Sequence, residues 1–210
     1  KIRGWLCLSL LFFVAMTAQA VVVQKLYSTK IPVVSRAKKV RQLALANAFS
    51  RVLVKVSGNS AIASQTTIKT ALAKPGAYVQ TFFYVSPAKT HPLMLHVRFS
   101  AQAIYRLFRS AGLPIWGKSR PLTLIWMAIK NQSALHFAQN AVGDNAKTLL
   151  MADAKARGLP VMFPLLDLTD LQAVSATAAV AASSDLLAGS QRYRPDAILS
   201  IKINTSDEDV

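Results

Sequence analysis

The chain is poor in cysteine, in acidic residues and in long apolar runs, and each shortage excludes a kind of protein. Cys7 is the only cysteine among 210 residues. If residues 1–20 are removed, the remaining chain has no cysteine. It therefore has no disulfide framework, no thiol nucleophile and no thiolate metal site. The longest apolar run, residues 6–16, is shorter than the ~20 residues of a membrane-spanning helix. We therefore expect a mature protein with no transmembrane span.

The start of the chain has the three parts of a secretory signal peptide. Lys1 and Arg3 form a basic start, residues 6–16 form an apolar centre, and a T-A-Q-A motif ending at Ala20 has the small-x-small pattern that signal peptidase recognises. We expect residues 1–20 to be cleaved and the mature chain to work outside the cytoplasm. An uncleaved membrane anchor is the alternative, but the apolar run is short and no charge cluster follows it.

Acidic residues are missing from the first two thirds of the chain. No Asp or Glu precedes Asp144, and residues 21–143 carry seventeen Lys and Arg, a charge of +17. Residues 144–210 carry six basic and nine acidic residues, a charge of −3, and Lys1 and Arg3 bring the total to +16. A segment with only positive charges produces an electrostatic field that attracts polyanions. Outside the cytoplasm these are lipid headgroups, lipopolysaccharide phosphates or acidic proteins, with no nucleic acid; the alternative is a basic surface that is only solvated.

The order of local patterns predicts a fold of the mixed α+β and α/β class. The composition is globular, with 52% hydrophobic and 16% charged residues. Residues 21–112 read as a basic β-α-α-β-β-α subdomain, and residues 113–121 read as a connector. Residues 122–210 read as an α/β subdomain with a small, three-stranded parallel sheet.

Periodicity and capping residues place the individual elements. Alternating apolar residues indicate a half-buried strand at 93–99, and apolar residues at helical spacing indicate a helix at 36–56, with Ser35 as its N-cap. Ser100 is the expected N-cap of a third helix. The remaining predicted strands are 21–33, 78–85, 121–129, 159–163 and 197–203, and the remaining helices are 66–73, 100–110, 144–157 and 185–193.

Four stretches of the chain resemble one known family. They are R-Q-L-A-L-A-N-A-F-S-R-V-L-V-K-V-S-G-N at 41–59, G-L-P-I-W-G-K-S-R-P-L-T-L-I-W at 112–126, G-L-P-V-M-F-P-L-L-D-L-T-D at 158–170 and S-Q-R-Y-R-P-D-A-I-L at 190–199. In order and spacing they resemble an exported proteobacterial family, domain of unknown function 2066, over nearly the whole mature chain. The resemblance implies a periplasmic protein of a Gram-negative envelope and implies no established activity, cofactor or catalytic residue.

A second, architectural resemblance concerns the end of the chain. A helix, a turn containing Tyr193 and Asp196, and an apolar strand are similar to the small α/β domains of envelope proteins such as the TolB N-terminal domain. We expect longer members of the first family to continue past residue 210, so the present chain would be a fragment of a longer protein.

Few residues have the spacing of a catalytic or metal site. His91, His96 and His136 form no H-x-x-x-H or H-E-x-x-H arrangement, so we expect no metal. Asp167 and Asp170 form the best acidic pair: they follow a predicted strand and could bind a cation or perform acid-base chemistry. The simpler interpretation is that they cap a helix or form a turn.

The predicted connector contains the most distinctive candidate contact. Trp116, Lys118 and Arg120 place an aromatic ring beside two cations in a loop, which suits contact with an anionic headgroup, a glycan or a partner protein. The alternative is that Trp116 fills the seam between the two subdomains while Lys118 and Arg120 are solvated.

A second candidate surface is a face of the predicted N-terminal sheet. It would either bind a ligand or be covered by a helix, because aromatic residues at strand spacing usually belong to a core. Its residues are Tyr78, Phe82, Tyr84, His96 and Arg98.

These observations favour a non-enzymatic periplasmic protein that acts as an interaction or assembly module at the envelope. Its expected partner is an envelope protein or an anionic envelope surface, and we expect no cofactor. A binding module for an anionic envelope glycan or lipid is the alternative. An enzyme built on Asp167 and Asp170 is the third hypothesis, and it needs a pocket in which both carboxylates converge.

Overall fold

The computed structural model describes residues 21–86, 92–131 and 134–205. The predicted signal peptide and His91 lie outside these ranges. The strands are β1 (Val21–Val22), β2 (Ser28–Val33), β3 (Val79–Val85), β4 (Leu93–Phe99), β5 (Ser119–Arg120), β6 (Thr123–Lys130), β7 (Leu135–Phe137), β8 (Val161–Met162) and β9 (Ala197–Asn204). The α-helices are α1 (Lys38–Ser57), α2 (Thr66–Leu72), α3 (Ala101–Ser110), α4 (Ala141–Arg157), α5 (Leu168–Ala173), α6 (Ala176–Ala179) and α7 (Ser184–Ser190). The mixed α and β class is therefore confirmed.

The N-terminal unit, residues 21–112, is an antiparallel sheet of order β2-β4-β3 with helices on one face. Alternation along β4 decides which face is covered, because successive side chains of a strand point to opposite sides. Leu95, Val97 and Phe99 are buried in one apolar cluster with residues of α1, α2 and α3. Lys30, His96 and Phe83, which lie opposite one another on β2, β4 and β3, are on the other face, and Lys30 and Phe83 are exposed.

Helix α1 is the largest contributor to this core. Phe49, Val52 and Leu53 are fully buried on its inner stripe, and Phe49 stacks on Tyr78 with ring centroids 4.5 Å apart. The helix ends at Gly58, whose φ of 72° is the left-handed conformation that glycine adopts readily. Its N-cap is Ala37, without a side-chain hydrogen bond, so the prediction of Ser35 as the cap is wrong.

The predicted long strand at 21–33 is two strands that belong to different sheets. β1 pairs with β5, whereas β2 pairs with β4. A turn separates them, and Lys25 lies in it with a φ of 60°. Apolar and β-branched residues occur on both sides of this turn, so the sequence predicts one continuous strand. The position of the turn depends on tertiary contacts, which a local sequence pattern does not contain.

The C-terminal unit, residues 122–205, is built around β6, whose eight residues are mostly buried. β9 pairs with β6 in parallel along its whole length, and β8 pairs with it in parallel at residues 123–124. β7 pairs with it antiparallel at residues 128–130. The predicted parallel sheet of three strands therefore has a fourth, antiparallel strand. β7 has only three residues, which is too short for alternation to reveal.

Both faces of the β6 sheet are covered. Trp126 and Leu124 pack on one face with residues of α6 and α7, and Met127 and Ile129 pack on the other with residues of α4. Continuous burial of this kind explains why β6 reads as an unbroken apolar run rather than an alternating one. Within the described ranges, no helix has both the length and the apolar character that crossing a bilayer requires.

Candidate functional site

Arg120 is the buried centre of the contact between the two units. Its side chain is 0% exposed. It lies at the C-terminal ends of α1 and α4, where the last carbonyl groups of a helix lack intrahelical partners and carry partial negative charge. The guanidinium donates to the carbonyl oxygens of Lys55, Arg157 and Gly158 and also to those of Trp116 and Gly117. Burial lowers the pKa of Arg120. We therefore assign Arg120 a structural role: it joins the ends of two helices and is not available to a partner.

Trp116 lies over this arginine. The guanidinium carbon of Arg120 is 4.4 Å from the centre of the Trp116 ring system. The indole also contacts Gly58 so closely that a Cβ atom there would come within 2.7 Å of the ring. The Trp116 amide also donates to Val56, at the end of α1. The geometry thus favours the alternative in which Trp116 fills the seam between the units.

Lys118 is the exposed member of the predicted contact. Its ammonium nitrogen lies 6.0 Å from the centre of the Tyr27 ring, a distance at the edge of the cation–π range. The structure thus separates the three connector residues into two that build the seam and one that faces solvent. Partner contact through Lys118 stays a prediction.

Asp167 and Asp170 lie together, but as parts of a structural cluster. Asp167 is the N-cap of α5 and accepts from the amide of Asp170 at 3.0 Å. Asp170 is buried and accepts from the Leu166 amide and the Tyr193 hydroxyl. Arg192 donates to both carboxylates, with N–O distances of 2.8 and 2.9 Å to Asp167 and 3.1 Å to Asp170. Both carboxylates are therefore paired with one shared cation.

The pKa values of this cluster agree with a tightly bonded arrangement. The hydrogen bonds from Arg192 and from the Asp170 amide lower the pKa of Asp167 to about 2. Burial, and then the hydrogen bond to Asp170, raises the pKa of Tyr193. A general acid at neutral pH needs a raised carboxyl pKa, and Asp167 has the opposite shift. The cluster therefore supports α5 and the segment after α7, and its geometry favours the capping interpretation.

Arg192 and Tyr193 are the partners that sequence reasoning missed at this cluster. They occur in the S-Q-R-Y-R-P-D-A-I-L segment, which drew attention only through the two resemblances and not as a partner of the acids. Spacing alone could not pair them with acids more than twenty positions earlier.

The histidines do not come together. His96 contacts Phe83 with ring centroids 4.8 Å apart and the rings tilted by 31°, on the open face of the N-terminal sheet, and His136 lies in β7. Burial and the nearby charges of Lys30 and Lys25 lower the pKa of His96. In the part of the chain that the structure describes, no three His, Cys, Asp or Glu side chains lie close enough to hold a metal ion.

The aromatic sheet surface that the sequence suggested is divided between two sides of the sheet. His96 and Arg98 lie on the open face, because they alternate with the buried Leu95, Val97 and Phe99. Phe82 and Tyr84 lie opposite Val97 and Leu95 and so share the helix-covered side. Tyr78 precedes β3 and belongs to the core. The five residues therefore form no common binding surface, because strand alternation and an irregularity between Val79 and Thr81 separate them.

A basic groove lies beside the start of α1 and has a volume of about 840 Å³. Four of its lining side chains are cations. They are Lys38, Lys39, Arg41 and Lys74. The floor includes Leu45 and Leu72, and Leu43 at the rim is 75% exposed. No acidic residue occurs between residues 21 and 143, so none lines the groove.

Two arginines at this end of α1 lie over aromatic rings of the β3 edge. The guanidinium carbon of Arg41 is 5.7 Å from the centre of the Phe82 ring, and that of Arg36 is 5.4 Å from the centre of the Tyr84 ring. The Tyr84 hydroxyl is buried without a hydrogen-bond partner in the structure. The aromatic residues thus hold cations in place without neutralising them.

A second concavity, of about 550 Å³, lies in the C-terminal unit between β7 and α5. Its lining includes Phe137, Leu171 and Val174, and its polar side chains are those of His136, Gln139, Asn140 and Ser175. Asn140 and Ser175 are the N-caps of α4 and α6, where their side chains accept from backbone amides. Two of the four polar side chains therefore already cap helices, and the lining contains no Asp, Glu, Lys or Arg.

The N-terminal unit is similar to a known protein family. Residues 20–117 match the model of a domain of unknown function, DUF8605. The match covers the N-terminal unit and ends at the seam beside Trp116, and it agrees with the expectation of an uncharacterised family. The resemblance to domain of unknown function 2066 stays a prediction. Searches of curated proteins and of solved structures gave no significant match.

Proposed function

We propose that this protein is a non-enzymatic interaction module of the bacterial envelope and that its basic groove contacts an anionic partner. The observation that carries the proposal is a concave surface with four cations and no acid. In the described part of the chain, every salt bridge involves acids at or after Asp144, and none of them includes a groove cation. In the described residues these cations therefore have no carboxylate partner. Arg41 contacts only the Arg36 carbonyl and the Phe82 ring, which leave its charge unneutralised, so the four charges can attract an anion.

An envelope protein with an acidic surface is the partner we favour. The groove lies between α1 and the turn after α2, and its exposed Leu43 adds an apolar contact beside the cations. Protein interfaces combine apolar contact with complementary charge in this way. The predicted export of the chain, with cleavage after Ala20, supports the periplasm as the place of contact.

A module for an anionic envelope glycan or lipid headgroup is the second candidate. The groove volume of about 840 Å³ is within the range of pockets that hold small ligands, which favours this reading. Phosphate groups on such a ligand would be met by Lys38, Lys39 and Lys74, whose ammonium groups bind phosphate as point charges.

Charge reversal at the groove tests both candidates. The variant carries Lys38→Glu, Lys39→Glu and Lys74→Glu. Its matched control carries Lys25→Glu, Lys30→Glu and Arg98→Glu at the turn before β2 and on the open sheet face, so both proteins have the same net charge. We expect the groove variant to lose more than about tenfold in affinity at low salt, and the control less than about threefold.

The choice of ligand in the binding experiment distinguishes an acidic protein partner from an anionic glycan or lipid. Vesicles with and without anionic phospholipid, and purified lipopolysaccharide, test the second candidate directly. Capture of partners from envelope fractions at low and high salt, with both variants as bait, tests the first. Equal losses in the two variants would show that delocalised charge, and not the groove, is responsible. No binding to any of these materials at low salt would refute the proposal.

The location is tested separately. Fractionation of cells that express the full chain should recover the protein in the periplasm. N-terminal sequencing of that protein should begin at Val21. Recovery in the cytoplasm with an intact start would contradict the predicted export.

A further inference from the structure

We infer that β9 is a self-complementary edge and that two copies of the protein pair through it to form one continuous sheet. β9 is the partner of β6 along eight residues, and no strand in the described ranges pairs with its other side. An unpaired edge of this length is a template for another strand unless it is protected by charged side chains, proline or bulges. The sequence A-I-L-S-I-K-I-N has a single charged residue, Lys202, and no proline, and its register with β6 shows no bulge.

The hydrogen bonds at the two ends of β9 show which backbone groups face outward. The Ala197 amide donates to Leu122, and the Thr205 amide donates to Lys130. In a parallel pair, alternate residues direct both N–H and C=O groups toward the partner strand. Odd-numbered residues of β9 therefore bond to β6. The backbone groups that face away belong to Ile198, Ser200, Lys202 and Asn204.

Of the antiparallel registers compared below for two β9 strands, one makes the fullest use of these outward-facing backbone groups. In an antiparallel pair about a two-fold axis, only outward-facing residues can exchange hydrogen bonds. An axis through Ile201 pairs Ile198 with Asn204 and Ser200 with Lys202, which uses all four outward residues. An axis through Lys202 would place the two Lys202 side chains opposite each other. An axis through Ser200 would leave Asn204 opposite Asp196, outside the strand.

The same register aligns the apolar side chains. Directly opposed residues of an antiparallel pair share a face. Leu199 would lie opposite Ile203 of the second copy, and Ile201 would lie opposite its own equivalent. Leu199 is 44% exposed in the single chain, and Ile201 and Ile203 are only half-buried at the edge of the cluster with Met127 and Ile129. Pairing therefore covers an apolar row that α4 leaves uncovered.

Charge also favours a second copy at this edge. Residues 144–210 carry a charge of −3, whereas residues 21–143 carry +17. Contact through β9 brings the weakly charged units together and leaves the basic units apart. Lys202 would lie opposite the neutral Ser200. An edge contact buries less than the ~800 Å² per partner of a standard interface, so the dimer should be weak and depend on protein concentration.

Cysteine cross-linking reads the register directly. In a Cys7→Ser background, Ile201→Cys places two thiols at a non-hydrogen-bonded pair, where Cα atoms are ~4.5 Å apart and a disulfide can form. Leu199→Cys is the matched control. In this register residue 199 of one copy lies opposite residue 203 of the other, so the two introduced thiols are four residues apart along the strands. We expect oxidation to give a covalent dimer with the first variant only. Cross-linking of Leu199→Cys alone, or of neither variant, would overturn the inference.

Charge at position 200 tests the same contact without cross-linking. Ser200→Lys opposes Lys202 of the second copy and should raise the dimer dissociation constant about threefold or more. Ser200→Glu should lower it by a similar factor at low salt. Ser110→Lys, on an exposed position of α3, is the charge-matched control and should leave it unchanged. Sedimentation equilibrium measures all four proteins. A monomer at every concentration, or a dimer indifferent to position 200, would overturn the inference.

Discussion

The two units of this protein use charge and sheet faces in different ways. The N-terminal unit covers one face of its sheet and carries cations with no acid among them. The C-terminal unit covers both faces of β6 and pairs four of its six described acids with arginine or lysine. Charges that are paired within a fold contribute to its architecture, whereas charges of one sign must be solvated or meet an outside partner. This difference is the reason why we propose the N-terminal unit, rather than the C-terminal unit, as the part that contacts a partner.

Arg120 joins the two units, and its loss should have the largest effect. Arg120→Met removes the donors from the carbonyls of Lys55, Arg157 and Gly158 and leaves an apolar side chain beside these helix ends. We expect the free energy of unfolding to fall by about 4 kcal/mol, as measured by urea denaturation. Lys118→Met, two residues away but exposed, is the control and should change stability by less than about 0.5 kcal/mol. Similar effects of the two substitutions would contradict the structural role of Arg120.

Gly58 and Gly112 form a matched pair that isolates the Trp116 contact. Both have a positive φ, of 72° and 64°. A Cβ atom at Gly58 would meet the Trp116 ring at 2.7 Å, whereas nothing lies within 4 Å of one at Gly112. We expect Gly112→Ala to cost about 1 kcal/mol from backbone strain alone, and Gly58→Ala to cost at least about twice as much. Equal thermal unfolding of the two variants would show that Trp116 moves away freely.

The acidic cluster gives the smallest expected effect, a change of stability with pH in the C-terminal unit. The folded-state pKa of Asp167 is about 2, below its ordinary value of 3.8. The stabilisation is therefore fully present above pH 3.8 and is lost as the pH falls toward 2.

Asp167→Asn measures that contribution. The variant should be less stable than the parent protein at neutral pH, and the difference should shrink as the pH falls from about 4 to about 2. Stability curves from urea denaturation at several pH values provide the measurement. Asp144→Asn, which removes an exposed acid with only a long contact to Lys147, is the control. A parent-to-variant difference that is constant with pH would contradict the ion pair between Asp167 and Arg192.

Strong periodic patterns predicted the regular elements well. The alternation at 93–99 matches β4 at both ends, and Ser100 caps α3 by accepting from the Ala103 amide. The predictions failed where a segment changes its partner. The apolar residues 21–33 satisfy one strand pattern but serve two sheets, and the three residues of β7 are too few to show a period.

The candidate site was less predictable from sequence than the fold. Trp116 and Arg120 were recognised as unusual, but an arginine whose partners are backbone carbonyls has no sequence signature, because every residue has a carbonyl. Asp167 and Asp170 were recognised as a pair, whereas Arg192 and Tyr193 were not. Pairing across more than twenty positions depends on the chain path, which local spacing does not contain.

By itself, the sequence determined the mixed class of the fold, the order of most elements and the separation of basic residues from acidic ones. These properties can be inferred from composition and periodicity because they depend on residues that are close together in the chain. Only the tertiary structure decided that Arg120 is buried between helix ends, that Asp170 shares Arg192 with Asp167 and that Lys74 joins three cations of α1 in one groove. Each of these depends on residues brought together from separate parts of the chain. For Arg120 and Asp170, burial also strengthens the electrostatic interactions that they make.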